Sequence, residues 1–158
     1  MKPNTRIERL GTLELVGVTK FGNPEKVAFS SAWEHFGKIA DEANISRIGK
    51  DLYGLQIYSP WFPNRLEITY LASIVRGRLK EIPIRMLSKT LPSGKYAVAK
   101  VEGEVNGIDE AIKHLYQEYI PNNGYRVALP LDFEKYCTVK DHISDPSDIE
   151  VWVPIESN

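Results

Sequence analysis

The order of elements in this chain repeats, and that repeat limits the folds open to it. Residues 13–21 are rich in strand formers and stop at Gly22, Asn23 and Pro24, a strong turn signal. A helix is expected over residues 25–43, because Trp33, Phe36, Ile39, Ala40 and Ala43 recur at spacings of three and four and form one apolar stripe. Strands over 53–58 and 66–75 follow. After a strand over 86–90 and a turn at Leu91-Pro92-Ser93-Gly94, the second half takes the same course. A strand over 95–101 is closed by Glu102 and Gly103. A helix over 107–120 carries Ile108, Ala111, Ile112, Leu115 and Tyr119 on one face and stops at Pro121 and Gly124. Strands over 127–137, with Pro130 as a point of interruption, and over 149–155 complete it, with a polar loop over 141–148 between them. Segments 16–22 and 97–103 share a shape, each ending in Gly ahead of a helix. Two successive strand–helix–strand–strand runs predict an α+β fold. Its duplicated βαββ units, about 12–80 and 83–156 of a single 1–158 domain, are expected to be related by a pseudo-twofold axis. Their strands would join in a curved antiparallel sheet with both helices on one face and a ligand groove on the other. Residues 1–11 read as a lead-in without structure.

Composition narrows the function. A net charge of −1 over 158 residues argues against direct nucleic-acid binding, which needs a visibly basic surface. The basic stretch Arg76-Gly77-Arg78-Leu79-Lys80 reads as a solvated turn. One cysteine, Cys137, excludes an internal disulfide framework and suits a reducing cytoplasm. The N-terminal residues carry no apolar secretion segment, and no apolar run approaches the roughly 20 residues needed to span a bilayer. His35, His114 and His142 lack the paired spacing of a metal site, and neither a nucleophile elbow nor a glycine-rich phosphate loop is present. Cys137 should point away from the face of its neighbour Tyr136, toward a core. No metal and no cofactor are expected.

The candidate site lies in the stretch Leu131-Asp132-Phe133-Glu134-Lys135-Tyr136. Its alternation reads as a strand, with Leu131 and Phe133 on the core side and Glu134 and Tyr136 together on the other. Two readings stand. A carboxylate covered among aromatic rings is a receptor for an organic cation, and the chain carries 3 Trp, 8 Tyr and 5 Phe that could cover it. An exposed strand glutamate beside a half-buried tyrosine is the ordinary alternative. Trp33 and Phe36 belong to a helix stripe and read as core. Trp61 and Phe62, held in a loop between Pro60 and Pro63, are either a hydrophobic plug or the lip of a pocket.

Four pieces of the second half together carry a family resemblance: Leu91-Pro92-Ser93-Gly94-Lys95-Tyr96-Ala97-Val98, then Gly124-Tyr125, then Asp132-Phe133-Glu134-Lys135-Tyr136, and Glu150-Val151-Trp152-Val153-Pro154-Ile155. In this order and spacing the chain resembles the GyrI-like, or AraC-type, effector-binding domains, over about residues 12–156. The resemblance implies a duplicated βαββ fold whose central pocket takes small molecules, often lipophilic cations, and it places the family's buried glutamate at Glu134. In transcription regulators the domain follows a helix-turn-helix module. Only about a dozen residues precede the first expected strand, so a stand-alone member is expected, with a homodimer or a regulatory protein partner left open.

On that basis Val151, Val153 and Ile155 should face the helices and Trp152 the groove, beside Glu134 and Tyr136. Tyr58, Tyr70, Trp61 and Phe62 are the candidates for the opposite wall. The leading expectation is a sensor or sequestering protein for cationic, drug-like or dye-like molecules, without catalysis. The alternatives implied by the family are a hydrolase of reactive metabolites using Glu134 as base, and a gyrase-inhibitor-like module that binds a protein.

Overall fold

The computed structural model describes residues 2–101, 107–139, 142–143 and 148–158, without the side chains of 137–139 and 142–143. In chain order the strands and helices are β1 (Thr5–Leu10), β2 (Leu13–Gly22), α1 (Ser30–Glu42), β3 (Asp51–Tyr58), β4 (Ile68–Val75), β5 (Leu87–Leu91), β6 (Gly94–Lys100), α2 (Gly107–His114), β7 (Tyr125–Val127), β8 (Leu131–Val139), β9 (His142–Ile143) and β10 (Glu150–Ser157). The α2 helix runs on through a π-helical turn at Leu115–Tyr119 and a last turn at Ile120–Asn122. The expected closing residues Glu102 and Gly103, most of the loop over 141–148 and the Cys137 side chain lie outside the described residues.

All strand pairs among the described residues are antiparallel and belong to one 10-stranded sheet, except that β9 pairs only with β8. The order is β1-β6-β10-β8-β3-β4-β2-β5, with β7 beside β10. Each half contributes three adjacent strands, β2-β4-β3 and β8-β10-β6, and the halves meet at the β3–β8 pair. The pseudo-twofold relation expected from the repeat is visible in that order. β5 and β6 lie near opposite ends of the sheet, yet only Pro92 and Ser93 separate them. The sheet must therefore curl until its ends approach.

Curling leaves two buried faces. On one, Leu15, Tyr53, Leu55, Leu71, Leu91, Tyr96, Val98, Leu131, Phe133 and Trp152 pack together. On the other, the helices cover Val16, Val18, Ala72, Ile74, Tyr70, Tyr136, Val151, Val153 and Ile155. α1 meets this second cluster through Ala32, Phe36, Ile39 and Ala40; the last three belong to the stripe expected from the sequence, whereas Ala43, also expected there, is exposed. Complete burial of each large apolar side chain here contributes on the order of 1.5–3 kcal/mol.

Two expectations about local structure change. Residues 1–11 are not an unstructured lead-in, because Thr5–Leu10 pairs with β6 along its length as an edge strand. Its Arg6, Glu8 and Arg9 keep that edge charged, which is how sheets discourage further pairing. Arg6 bonds both Glu8 and Glu150, and β1 is thereby tied to β10 across β6. α1 begins at Ser30 rather than near residue 25. The Asn23 side chain accepts from the Glu25 N–H and its carbonyl accepts from Lys26 and Val27, so the chain closes a turn before the helix starts.

Candidate functional site

The site grows out of one row across the sheet. Glu134 on β8 pairs with Gly54 on one side and Val151 on the other; Gly54 pairs with Ala72, and Val151 with Ala99. Directly paired residues share a face. Glu134 therefore stands among small and aliphatic neighbours beneath the helices, and small neighbours leave room above them. Tyr70 fills part of that room. Its hydroxyl lies over Gly54 so closely that a Cβ there would overlap it, and the same Cβ would sit 3.2 Å from Glu134 Oε2. Only glycine allows that approach.

The carboxylate is held from both sides. Tyr136 donates its O–H to Oε2, and Gln56 Nε2 donates to Oε1 at 3.0 Å. Trp33 Nε1 donates to the Tyr70 hydroxyl at 2.8 Å. The late start of α1 sets Phe29 flat against Tyr70, with ring centroids 5.3 Å apart, and Trp33 stands edge-on to Tyr70 and Tyr136. These groups border a cavity of about 360 Å³, lined also by Pro24, Ile68, Asp109 and Ile112, with no Lys or Arg among the described lining residues.

Glu134 is 8% exposed. Loss of hydration pushes its carboxyl up to about 7, with the charges of Asp132 and Asp109 adding to the rise while the bonds from Tyr136 and Gln56 oppose it. A second acid, Asp132, lies on the same face two residues earlier and is 1% exposed. Burial raises it to about 6 against the opposing bonds from Tyr58 and Tyr116. Those two hydroxyls donate to its Oδ2 at 2.5 and 2.8 Å. Burial, reinforced by the neighbouring carboxylates, drives the phenols of Tyr58, Tyr70, Tyr116 and Tyr136 upward, so all four stay neutral donors near neutral pH.

A second cavity, of about 680 Å³, adjoins the first along α2: Asp109 and Ile112 line both. Tyr58, Phe62, Tyr116, Leu129 and Pro130 are among its other walls. Asp109, Ile112 and Tyr116 are spaced three and four apart, which puts them on one face of the helix.

Of the residues singled out in the sequence, the structure brings Glu134, Tyr136 and Tyr70 together. Tyr58 and Phe62, whose rings are 4.8 Å apart, belong to the adjoining cavity. Trp61 lines neither; it is 57% exposed, with the Arg65 guanidinium 5.4 Å from its ring centre. Trp152 is on the wrong face for the role expected of it. It pairs with Phe133, stacks on that ring at 5.5 Å and packs in the cluster away from the helices. The acid and its cavity lie under the helices, on the face of Val151 and Val153, and the face expected to hold the groove is a second core. Phe29, Gln56, Asp132, Tyr116, Asp109 and Ile112 were not singled out, and Trp33 combines packing with a place in the cavity wall. Three of them carried a signal: alternation puts Asp132 on the face of Glu134 and Gln56 on that of Tyr58, and Ile112 lies on the apolar stripe of its helix.

The curved antiparallel sheet bearing two helices matches the effector-binding domains in fold. The chain matches the family of integron-associated effector-binding proteins (Cass2) over residues 6–155 and belongs to that family. Solved structures share the fold. SAV2435, in complex with tetraphenylphosphonium, superposes with a TM-score of 0.71 at 17% identity, covering 97% of this chain and 94% of that one. An integron cassette protein from the mobile metagenome of Vibrio cholerae gives 0.67 at 17% identity, over 96% and 95%. The C-terminal domain of EcmrR gives 0.72 at 14% identity over all of both chains. In the EcmrR–DNA complex, the matched part is 58% of the EcmrR chain.

Proposed function

We propose that residues 1–158 act as one effector-binding domain that takes a lipophilic organic cation into the cavity beside Glu134. It would serve as a sensor or sequestering protein in the cytoplasm. The observation that carries this reading is a buried carboxylate with no basic side chain among the described residues of its cavity, faced by the rings of Phe29, Trp33, Tyr70 and Tyr136. A cation gains about 0.5–2 kcal/mol from each well-placed ring. Rings alone would hold a neutral aromatic almost as well. The acid supplies the preference, since a desolvated cation needs a compensating charge and Glu134 needs one equally. The binding of tetraphenylphosphonium by SAV2435, a relative in fold, supports the same ligand class.

The test is calorimetric titration at pH 8 with tetraphenylphosphonium and with neutral triphenylphosphine oxide, on the wild type and on Glu134→Gln. The cation should bind more tightly than the oxide by at least about tenfold, or about 1.4 kcal/mol, and the variant should erase that margin. Equal affinities for the two compounds in the wild type would sink the reading.

A further inference from the structure

Glu134 has a counterpart that the single-cation reading leaves unused. Asp132 sits two residues away on the same face of β8, its Cα about 7 Å from that of Glu134 by strand geometry. Its Oδ2 accepts from both Tyr58 and Tyr116, while its buried Oδ1 has no hydrogen-bond partner among the described residues. No basic side chain among those residues bonds to it, although an acid buried this deeply is costly without a counter-charge.

Tyr58 and Tyr116 are also walls of the larger cavity. Each has committed its hydrogen to Asp132, so each phenol oxygen has only lone pairs left to offer. A wall of acceptors backed by a carboxylate suits an N–H donor bearing positive charge. A quaternary head has no such hydrogen; a protonated primary amine has three. Asp109, at the junction of the two cavities, adds a third carboxylate, and Lys113, the basic residue of the lining, is exposed at the surface.

We infer that the ligand class is an elongated dication, with a bulky lipophilic head beside Glu134 and a protonated amine against Tyr58 and Tyr116 over Asp132. The inference rests on the reading of the Glu134 cavity given above. It makes the two adjoining cavities one site, with one acid for each charge.

Two probes of equal length separate the ideas: pentyltriphenylphosphonium and its aminobutyl analogue, in which a terminal ammonium replaces the methyl group. The quantity to read is the ratio of their dissociation constants at pH 7.5. A charge-assisted hydrogen bond to a buried acceptor should favour the amine by roughly tenfold or more. The ratio should fall toward one in Asp132→Asn. It should fall likewise in the double variant Tyr58→Phe, Tyr116→Phe, which covers the case in which Asp132→Asn does not fold. If the wild-type ratio is near one while the pentyl probe still depends on Glu134, the dication inference is wrong and the cavity reading survives. A tenfold ratio that persists in both variants also overturns it. If the pentyl probe binds but ignores Glu134→Gln, the cavity reading itself has failed.

Discussion

Replacing Glu134 by glutamine should stabilise this protein above neutral pH, although it removes the residue on which cation binding is proposed to depend. In the unfolded chain the carboxyl titrates near its ordinary value of 4.5; in the fold it titrates at about 7 because burial strips its hydration. Between those values the folded state holds a proton that the unfolded state has lost. Stability is therefore highest below the unfolded value and declines as pH rises through the folded one. Each pH unit separating the two titrations corresponds to about 1.36 kcal/mol, so the contribution totals about 3 kcal/mol, most of it lost between about pH 5 and 8. Glutamine is close to isosteric, can accept from Gln56 at its carbonyl oxygen while its amide N–H donates to the Tyr136 hydroxyl oxygen, and carries no charge to desolvate. Urea unfolding of wild type and variant across pH 5 to 8 isolates the effect, since other groups cancel in the difference. The variant should lie within about 1 kcal/mol of wild type at pH 5 and exceed it by about 3 at pH 8. Asp132, raised from 3.8 to about 6, keeps its own slope of the same sign in both proteins. A variant less stable than wild type at pH 8, or a difference that does not change with pH, would refute the argument that Glu134 is buried without compensation.

The same titration governs binding. A permanent cation such as tetraphenylphosphonium should bind more tightly as pH rises, losing up to about tenfold for each pH step of one below 7 and levelling off above it. Calorimetry in buffers of different ionisation enthalpy at pH 6 should show proton release, and an affinity flat from pH 5.5 to 8 would contradict it. Gly54→Ala should act through packing instead, because the added Cβ overlaps the Tyr70 hydroxyl and forces that ring away from Trp33 and Glu134. We expect a stability loss of about 1–3 kcal/mol and a loss of most cation affinity, read by urea unfolding and titration; unchanged binding would remove Tyr70 from the site.

Alternation along the strands was legible in the sequence, and it grouped side chains correctly. Gly54, Gln56 and Tyr58 share a face, as do Ile68, Tyr70, Ala72 and Ile74, and Glu134 shares one with Tyr136. What alternation cannot say is which face lies under the helices when both are buried. Leu131 and Phe133 looked like the core side because they are apolar, and they are indeed core, but of the cluster away from the helices. The error then passed to Trp152: with Val151 rightly on the helix side and Glu134 wrongly off it, Trp152 fell beside the acid. Register decides the matter. Val151 pairs with Glu134 and Trp152 with Phe133, a relation that depends on long-range strand pairing and leaves no mark within either segment. β1 escaped notice for a different reason. Three of its six residues are charged, as in a solvated tail, and only its pairing with β6 and the bonds of Arg6 make it a strand.

The placement of the acid at the meeting of the halves explains why the site needs both. β8 of the second half brings Glu134 and Asp132, but the first half supplies the space over Gly54 and Ala72, the Gln56 donor, and the rings of Phe29, Trp33 and Tyr70. A carboxylate at the middle of a sheet covered on both faces has little water to turn to, so its charge must be met by neighbours or by a ligand. The neighbours are phenols and an amide, which donate hydrogen bonds without neutralising it. The contribution of these two acids to the stability of the unliganded fold is therefore smallest where they are most fully ionised. A cation that enters adds RT ln(1 + [L]/Kd) to the stability of the fold, and Kd is smallest in that same range. Ligand-induced stabilisation should thus grow with pH while the contribution of the two acids falls. Those opposed slopes would distinguish a charge held ready for a ligand from one buried for structural reasons alone.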